Sequence, residues 1–347
     1  MAHELVMKSL PKIVEVPVPK GNVHPEPQYH PILPMHEFTW GIISPKGTGK
    51  TTKVVNLLEM YKGYFHEIYI FSPTILNDDK WDYVKTLPLR SRNDRLLDFL
   101  DSLEEDEEKE DNDMFPDLKT ETKLLREKFE PQVPENHFYT DYNEELLNSI
   151  LNEQQEMIEF LRSHDKSKHW ANRVLFVFDD LVGSDLFSNK RDNSFKIFNT
   201  VHRHKSISCF MISQGYKEVP KTIRTNWTCL SAFRIGNEKE VEGMYEEFPM
   251  DLKRLEWESV YQFATEGPHD FLFIDFQKPR GQQMMKNLDT ILTTSATVEP
   301  GEELHLSKEA GKRKKKDVVE REELSGGDLN PRPTKGSRRT LSKKIKR

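Results

Sequence analysis

Short apolar runs separated by longer amphipathic stretches dominate the sequence between residues 37 and 240. Five of these runs are rich in β-branched and aromatic residues, namely Glu37–Ser44, Glu67–Pro73, Val174–Asp180, Ser208–Gln214 and Thr228–Ile235. Several are apolar at consecutive positions, which is typical of strands that are buried on both faces of a parallel sheet. The pattern therefore predicts the strands of one largely parallel sheet.

Stretches with a helical period lie between these runs. Apolar residues recur three or four positions apart in Thr51–Tyr61 and again in Asn193–Lys205. Strands that alternate with helices indicate an α/β fold, in which helices flank a mainly parallel sheet. After the fifth strand, Tyr261–Thr265 and Phe271–Asp275 predict a C-terminal β-hairpin that extends the sheet.

Three segments do not follow this rhythm. Residues 1–36 contain seven prolines and predict an extended arm. Residues 77–165 predict an insertion between the second and third strands, acidic and disordered around 101–115 and helical from Asn143. Residues 291–347 are polar and predict a disordered basic tail. We therefore expect one folded domain over residues 37–290.

Charge and composition narrow the range of partners. The chain has a net charge of −7, yet residues 308–347 contain 15 Lys or Arg against 6 Asp or Glu. A basic tail on an acidic body indicates a polyanionic partner for the tail. No run of about 18 apolar residues occurs, so no membrane span is expected. Cys209 and Cys229 both lie in apolar runs and predict buried thiols rather than a disulfide or a zinc site.

A glycine-rich loop joins the first predicted strand to the first predicted helix. It follows the Walker A pattern and consists of Ser44, Pro45, Lys46, Gly47, Thr48, Gly49, Lys50, Thr51 and Thr52. In such a loop, backbone N–H groups at a helix N-terminus bind the phosphates of a nucleotide. We expect Lys50 to reach the β- and γ-phosphates of ATP and Thr51 to bind Mg²⁺. Ser44 stands where the pattern usually has its first glycine.

The predicted strands Val174–Asp180 and Ser208–Gln214 both end in polar residues. Asp179 and Asp180 follow an apolar run, which places two carboxylates at the edge of a parallel sheet where ligands bind. We expect Asp179 to hold Mg²⁺ and Asp180 to orient or deprotonate the attacking water. Gln214 ends the following strand and can contact the γ-phosphate and that water; alternatively, it is a turn residue before Gly215.

Basic residues near the predicted sheet suggest two further roles. Arg224 precedes the fifth strand and can act as a finger on the nucleotide of a neighbouring subunit, or pair with a surface carboxylate. Arg234 and Arg203 are substitutes for the finger. Lys190 and Arg191 lie in a polar loop after the Asp179–Asp180 strand and are candidates for contacts with DNA phosphates.

The order of these motifs resembles the FtsK–HerA superfamily, and within it the poxvirus-type genome-packaging ATPases. The matching text is GIISPKGTGKTT, IYIFSPT followed by Trp81, VLFVFDDL, HRHKSISCFMISQ and TIRTN. The resemblance spans about residues 37–240 and implies a RecA-like, ASCE-type P-loop fold, a homo-oligomeric ring and double-stranded DNA as the substrate. It also implies packaging of that DNA into a viral capsid, with the capsid protein as a partner, in the host nucleus, in a cytoplasmic viral factory or in association with the virion. The KRKKK run in the tail loosely fits a nuclear-import signal.

Two other readings remain open at this stage. A helicase-like enzyme or a small-molecule kinase would share the P-loop, but the sequence shows neither an Arg-rich lid nor further strand-separating motifs. A nucleotide-binding scaffold without turnover would not need Lys50, Asp179, Asp180 and Gln214 together. The leading hypothesis is an ATP-hydrolysing motor that translocates DNA, with ATP and Mg²⁺ as its cofactors.

Overall fold

The computed structural model describes residues 24–25, 27, 32–109, 123–124, 126, 137–181, 183–187, 193–248 and 252–293. Its strands are β1 (Thr39–Ile43), β2 (Glu67–Phe71), β3 (Phe138–Tyr139), β4 (Val174–Asp179), β5 (Ile207–Ser213), β6 (Cys229–Phe233), β7 (Phe271–Asp275), β8 (Met284–Lys286) and β9 (Thr290–Ile291). Its α-helices are α1 (Lys50–Met60), α2 (Asp79–Lys85), α3 (Asp94–Lys109), α4 (Glu144–Ser163), α5 (Ser194–Val201), α6 (Lys221–Arg224), α7 (Glu238–Glu247) and α8 (Arg254–Ala264).

Within the described ranges the strands form one sheet of nine, in the order β3-β2-β4-β5-β1-β6-β7-β8-β9. Pairings from β3 to β6 are parallel, and those from β6 to β9 are antiparallel. Strand β5 lies between the P-loop strand β1 and the Asp179 strand β4, as an ASCE-type fold requires. The predicted α/β class with its mainly parallel sheet is confirmed.

Both faces of this sheet are buried under helices and loops. In β4, Phe176 and Phe178 belong to one apolar cluster, whereas Leu175 and Val177 belong to another on the opposite face. Because side chains alternate between faces along a strand, an uninterrupted apolar run is what a doubly covered strand needs. The parallel strands end at one edge, here called the carboxyl edge, and begin at the other, the amino edge.

The C-terminal extension differs in detail from the sequence prediction. Tyr261–Thr265 is not a strand, because α8 runs to Ala264 and Thr265 caps it. Trp257, Tyr261 and Ala264 are buried at helical spacing on one face of α8. The hairpin instead pairs β7 with β8 and adds to the sheet through β6. A five-residue window was too short to separate the helical period from a strand.

The insertion is also more ordered than its acidity suggested. Helix α3 continues to Lys109, so residues 101–109 are helical, while 110–115 lie outside the described residues. Leu96 and Leu100 of α3 pack against Met157 and Leu161 of α4 in a small separate core. Strand β3 also lies in the insertion and pairs with β2 at the sheet margin. An apolar stripe on one side of α3 thus outweighs the acidic residues on its other side.

Other sequence predictions have mixed outcomes. Cys209 and Cys229 are buried free thiols, as predicted. Near the end of the predicted arm, Leu33 is buried and the hydroxyl of Tyr61 donates to the carbonyl of Pro34 at 2.7 Å. Lys190, Arg191 and the tail from residue 294 lie outside the described residues. Within the described ranges, none of the helices combines the length and apolar character needed to cross a bilayer.

Candidate functional site

The glycine-rich loop turns tightly between β1 and α1 at the carboxyl edge. Gly47 and Gly49 have φ angles of 83° and 99°, in the left-handed region that favours glycine. The Ser44 hydroxyl lies 2.5 Å from the hydroxyl of Thr48, which in turn donates to the Pro45 carbonyl at 2.7 Å. A serine therefore replaces the usual first glycine without opening the loop, because its hydroxyl helps to close it.

Lys50 lies at the start of α1 and reaches toward both aspartates. Its Nζ is 3.6 Å from Asp179 Oδ1 and 3.0 Å from Asp180 Oδ2, and its side chain is 14% exposed. Lys50 belongs to the P-loop, and the two aspartates follow a strand more than a hundred positions later in the chain. The structure thus brings together three residues that the sequence analysis selected from separate motifs. An ammonium group between the P-loop and two carboxylates is suited to bind phosphate oxygens.

Asp179 is the more buried of the two aspartates. It is 2% exposed, and its Oδ2 accepts a hydrogen bond from the Ser72 hydroxyl at 2.9 Å. Its Oδ1 is buried and has no hydrogen-bond partner among the residues that the structure describes. Burial raises the pKa of Asp179, and the positive charge of Lys50 partly offsets this. A buried carboxylate oxygen left without a hydrogen-bond donor, 3.6 Å from the ammonium of Lys50 in the P-loop, fits a Mg²⁺ site.

Asp180 follows the end of β4 and has a different environment. Its φ angle is 56°, a left-handed conformation that aspartate tolerates better than most residues. The Gln214 side-chain amide donates to Asp180 Oδ2 at 2.7 Å, so Lys50 and Gln214 meet on the same oxygen. The side chain is 29% exposed. Asp180 is therefore fixed in direction and still accessible, which suits a group that orients water.

Arg224 does not have the geometry of a finger. It is 5% exposed, and its guanidinium donates to both carboxylate oxygens of Glu247, at 3.0 and 2.6 Å. It also donates to the carbonyls of Tyr216 and Val219 and lies 4.4 Å from the Tyr216 ring centroid. The sequence prediction of a finger is corrected here: Arg224 joins α6 to α7 inside its own subunit. The alternative of pairing with a carboxylate was right, and this carboxylate is half-buried.

The two substitute arginines lie at opposite edges of the sheet. Arg234 directly follows β6 at the carboxyl edge, is exposed, and borders a groove of about 690 Å³ between α7 and α8. Arg203 lies in the 3₁₀ turn His202–Lys205 that precedes β5, at the amino edge, and is also exposed. Of the two, Arg234 shares the edge on which the P-loop lies.

Sequence reasoning missed two residues at this site. Ser72 ends the second apolar run, the same signal that identified Asp179, so the sequence contained the information to find it. His269 lies in the loop between α8 and β7, and its Nδ1 is 3.0 Å from the carbonyl of Thr48. A methyl group on Gly49 would come within 3.3 Å of the His269 ring. The contact between His269 and Thr48 depends on where the loop before the β7–β8 hairpin lies in the folded protein. A local sequence pattern therefore could not predict it.

Comparison with known proteins gives one match to a family model. The sequence model of the family described as "Poxvirus A32 protein" matches residues 120–261. Over this stretch the chain resembles the poxvirus A32 family. The match confirms the resemblance that the motifs predicted, and it includes Asp179, Asp180 and Gln214. The P-loop precedes the matched residues, so its identification depends on the motif and on the geometry described above.

More distant similarities extend to two viral proteins and to a conjugation protein. "Uncharacterized protein 075L" of Invertebrate iridescent virus 6 is 25% identical over 142 residues, which cover 41% of this chain and 52% of the relative. The chain thus spans about half the length of that relative. The genome packaging NTPase B204 of Sulfolobus turreted icosahedral virus 2, solved with ATP-gammaS, has 10% identity and a TM-score of 0.38 over 74% of this chain and 98% of its own. The pCW3 conjugation coupling protein TcpA has 13% identity and a TM-score of 0.39 over 72% and 59%.

Proposed function

We propose that this protein is a Mg²⁺-dependent ATPase that translocates double-stranded DNA and packages it into a viral capsid. The observation that carries the ATPase part is the convergence of Lys50, Asp179, Asp180 and Gln214 within hydrogen-bond or ion-pair distance beside a glycine-rich loop. A scaffold without turnover would have no need for the Gln214–Asp180 contact, which positions a carboxylate for water rather than for phosphate.

Each residue has a separable role in this proposal. Lys50 neutralises charge on the β- and γ-phosphates in both the bound and the transition state. Thr51 and Asp179 hold Mg²⁺, which when bound stabilises negative charge on the phosphate oxygens. Asp180 accepts a proton from, or orients, the attacking water, and Gln214 fixes the direction of that carboxylate. Ser72 fixes Asp179 through its hydrogen bond to Oδ2.

We assign the finger role to Arg234, acting across a subunit boundary in a homo-oligomeric ring. Its exposure at the carboxyl edge supports this assignment, whereas Arg224 is held by Glu247. Arg234→Ala protein is expected to bind ATP but not to hydrolyse it. Mixing it with Lys50→Ala protein should restore some turnover, because hybrid interfaces pair an intact P-loop with an intact finger. Absence of recovery, in rings shown to exchange subunits, would exclude Arg234.

DNA packaging draws its support from similarity and from charge. The matched family is described by a poxvirus protein, and one structural relative is named as a genome packaging NTPase. We propose that the tail, with its 15 Lys or Arg in residues 308–347, binds DNA, and that Lys190 and Arg191 contact DNA in the central channel of the proposed ring. The capsid protein as a partner, and a location in the nucleus, a viral factory or the virion, follow from the same proposal.

ATP hydrolysis measured with and without duplex DNA tests this proposal. We expect Mg²⁺-dependent turnover that duplex DNA stimulates. Deleting residues 305–347 should weaken DNA binding most at low salt, and less as salt rises, while basal hydrolysis persists. Replacing Lys190 and Arg191 by Ala should remove the stimulation with the tail intact. Turnover that ignores DNA in every variant would contradict the translocase and leave an ATPase of another kind; no turnover at all would favour the scaffold.

A further inference from the structure

Three potential metal ligands meet at the amino edge of the sheet, opposite the P-loop. His169 Nδ1 lies 2.8 Å from His24 Nε2, and Glu37 Oε1 lies 3.6 Å from the same His24 nitrogen. One ligand atom from each of the three residues falls within 4.8 Å of the others. Among the residues that the structure describes, this is the group of three with metal-ligand spacing.

The three residues come from separate parts of the chain. His24 belongs to the proline-rich N-terminal segment, Glu37 lies just ahead of β1, and His169 lies in the 3₁₀ turn Lys168–Trp170 ahead of β4. His24 is 8% exposed and the Glu37 side chain 9%, so bulk water competes little for these atoms. An ion held here would attach the N-terminal segment to the entrances of two sheet strands.

The backbone of Glu37 is held in an unfavourable conformation. Its φ angle is 72°, in the left-handed region that a side chain such as glutamate rarely adopts. Its N–H and that of Phe38 both donate to the Ser208 hydroxyl oxygen, at 3.1 and 3.2 Å, which fixes this turn. Strain of this kind persists where the surroundings impose it, and it is concentrated at functional positions. Here it turns the Glu37 carboxylate toward the two imidazoles.

His36 borders the cluster but is held by other partners. Its ring lies edge-on to His24 at 4.7 Å, while its two nitrogens contact the hydroxyls of Ser208 and Ser206. The atoms left to hold an ion are therefore those of His24, Glu37 and His169.

We propose that His24, Glu37 and His169 bind one Zn²⁺ ion that fastens the N-terminal segment to the amino edge. Two imidazoles and one carboxylate form a donor set found in zinc sites that keep a fourth position for water. Tetrahedral zinc sets its nitrogen ligands about 3.3 Å apart, so the two rings need to separate by only a few tenths of an ångström from their present contact. The site lies at the opposite edge from the ATPase residues and is independent of them.

Lys168 is the natural competitor of the metal. Its ammonium lies 2.7 Å from Glu37 Oε1 and also donates to the Arg203 carbonyl at 2.7 Å. A bound dication takes the place of the ammonium at Glu37, while Lys168 can keep its bond to the carbonyl. Removing this positive charge should therefore strengthen metal binding, which a purely structural ion-pair network does not predict.

Zinc titration of the full-length protein, freed of metal with a chelator, tests the proposal. We expect one Zn²⁺ per chain and a rise in melting temperature on binding. His24→Ala and His169→Ala should each weaken binding at least about tenfold. His204→Ala, at an exposed histidine on a neighbouring turn, is the matched control and should bind as the wild type does. Cobalt in place of zinc should give the visible absorption of a four-coordinate site, lost in His24→Ala.

Two further variants keep the test decisive even if the histidine variants fold poorly. Lys168→Met should bind zinc about threefold or more tightly, since it removes a like charge from the site. Unchanged or weaker binding in that variant would overturn Glu37 as a ligand. Lys50→Ala should bind zinc normally, because it changes only the opposite edge. Less than stoichiometric zinc in the wild type, or equal binding by the wild type and both histidine variants, would overturn the site.

Discussion

The two edges of the sheet differ in the kind of polar groups that they bring together. At the carboxyl edge, Asp179 has a buried oxygen without a hydrogen-bond donor among the described residues, and Asp180 adopts a left-handed backbone. At the amino edge, His36 uses both ring nitrogens, bonded to the hydroxyls of Ser208 at 2.7 Å and Ser206 at 3.0 Å. The carboxyl edge therefore gathers groups that suit a nucleotide, whereas the amino edge joins the strands to the preceding chain and, in our proposal, holds a metal ion.

The carboxyl edge also contains a buried lysine that costs stability. Lys53, in the first turn of α1, is 9% exposed and lies 3.9 Å from the Phe271 ring centroid. Burial lowers the pKa of Lys53 to about 7, and the distant Asp289 offsets this only in part. A buried ammonium with an aromatic ring as its main partner destabilises the folded state. Lys53 therefore places this cost in the helix that directly follows the P-loop.

The largest expected effect comes from the carboxyl edge. Lys50→Ala removes the charge that compensates the transferring phosphate, so turnover should fall about a thousandfold and ATP binding should weaken strongly. Lys62→Ala, at an exposed lysine just beyond the same helix, is the matched control and should leave both unchanged. Steady-state hydrolysis and equilibrium nucleotide binding measure the two effects. Turnover at the wild-type rate in Lys50→Ala would show that the ATPase site does not lie at the carboxyl edge.

A second prediction concerns the ion pair between Arg224 and Glu247. Arg224→Ala leaves the half-buried carboxylate of Glu247 without its cation and two buried carbonyls without their donor, so the free energy of unfolding should fall by about 2–3 kcal/mol. Nucleotide binding by the folded fraction should persist. Urea unfolding of Arg224→Ala, Glu247→Ala and the double variant measures the coupling, and the double variant should lose less than the sum of the singles. Unchanged stability with lost turnover would return Arg224 to the finger role.

The sequence predicted the carboxyl edge far better than the amino edge. Strand runs that end in Ser44, Asp179 and Gln214 carry local signals, because parallel strands bring their ends together whatever lies between them. The amino-edge contacts join His24, Glu37 and His169 across more than a hundred positions without a motif. Their meeting depends on tertiary packing, which residue spacing alone does not encode.

Two errors in the sequence analysis have the same physical origin. Arg224 looked like a finger because of its place before a strand, but its role was decided by Glu247, which lies on a different helix. Tyr261–Thr265 looked like a strand, but Tyr261 is bound to the Phe233 carbonyl at 2.7 Å as part of α8. In both cases a partner distant in sequence determined the outcome. Short windows are informative about strand ends and uninformative about such partners.

The amino edge should show a smaller effect, confined to stability. Ser208 accepts hydrogen bonds from two backbone N–H groups and contacts His36. Ser208→Ala leaves these buried groups unpaired, so the free energy of unfolding should fall by about 2 kcal/mol. Urea unfolding measures this change, and ATP turnover at a temperature where the variant is folded should match the wild type. A loss of turnover in folded protein would show that the two edges are coupled.

The smallest expected effect depends on pH. The pKa of Lys53 in the folded state, about 7, lies below its unfolded value, so the unfolded chain binds more protons between these pH values. Stability of the wild type should therefore rise with pH through this window. Lys53→Met should be more stable than the wild type at pH 6, and the gain should shrink by pH 9. A gain that is equal at both pH values would contradict burial of the charge as its cause.

The most direct test of the ATPase site separates binding from hydrolysis at the two aspartates. Single-turnover hydrolysis and Mg·ATP binding are measured in parallel for the wild type, Asp179→Asn, Asp180→Asn and Gln214→Ala. The geometry predicts that Asp180→Asn and Gln214→Ala bind Mg·ATP but hydrolyse it about a hundredfold more slowly, because only the water loses its partner. Asp179→Asn should lose Mg²⁺-dependent binding. Equal loss of binding in both aspartate variants, or normal turnover in Asp180→Asn, would contradict the account.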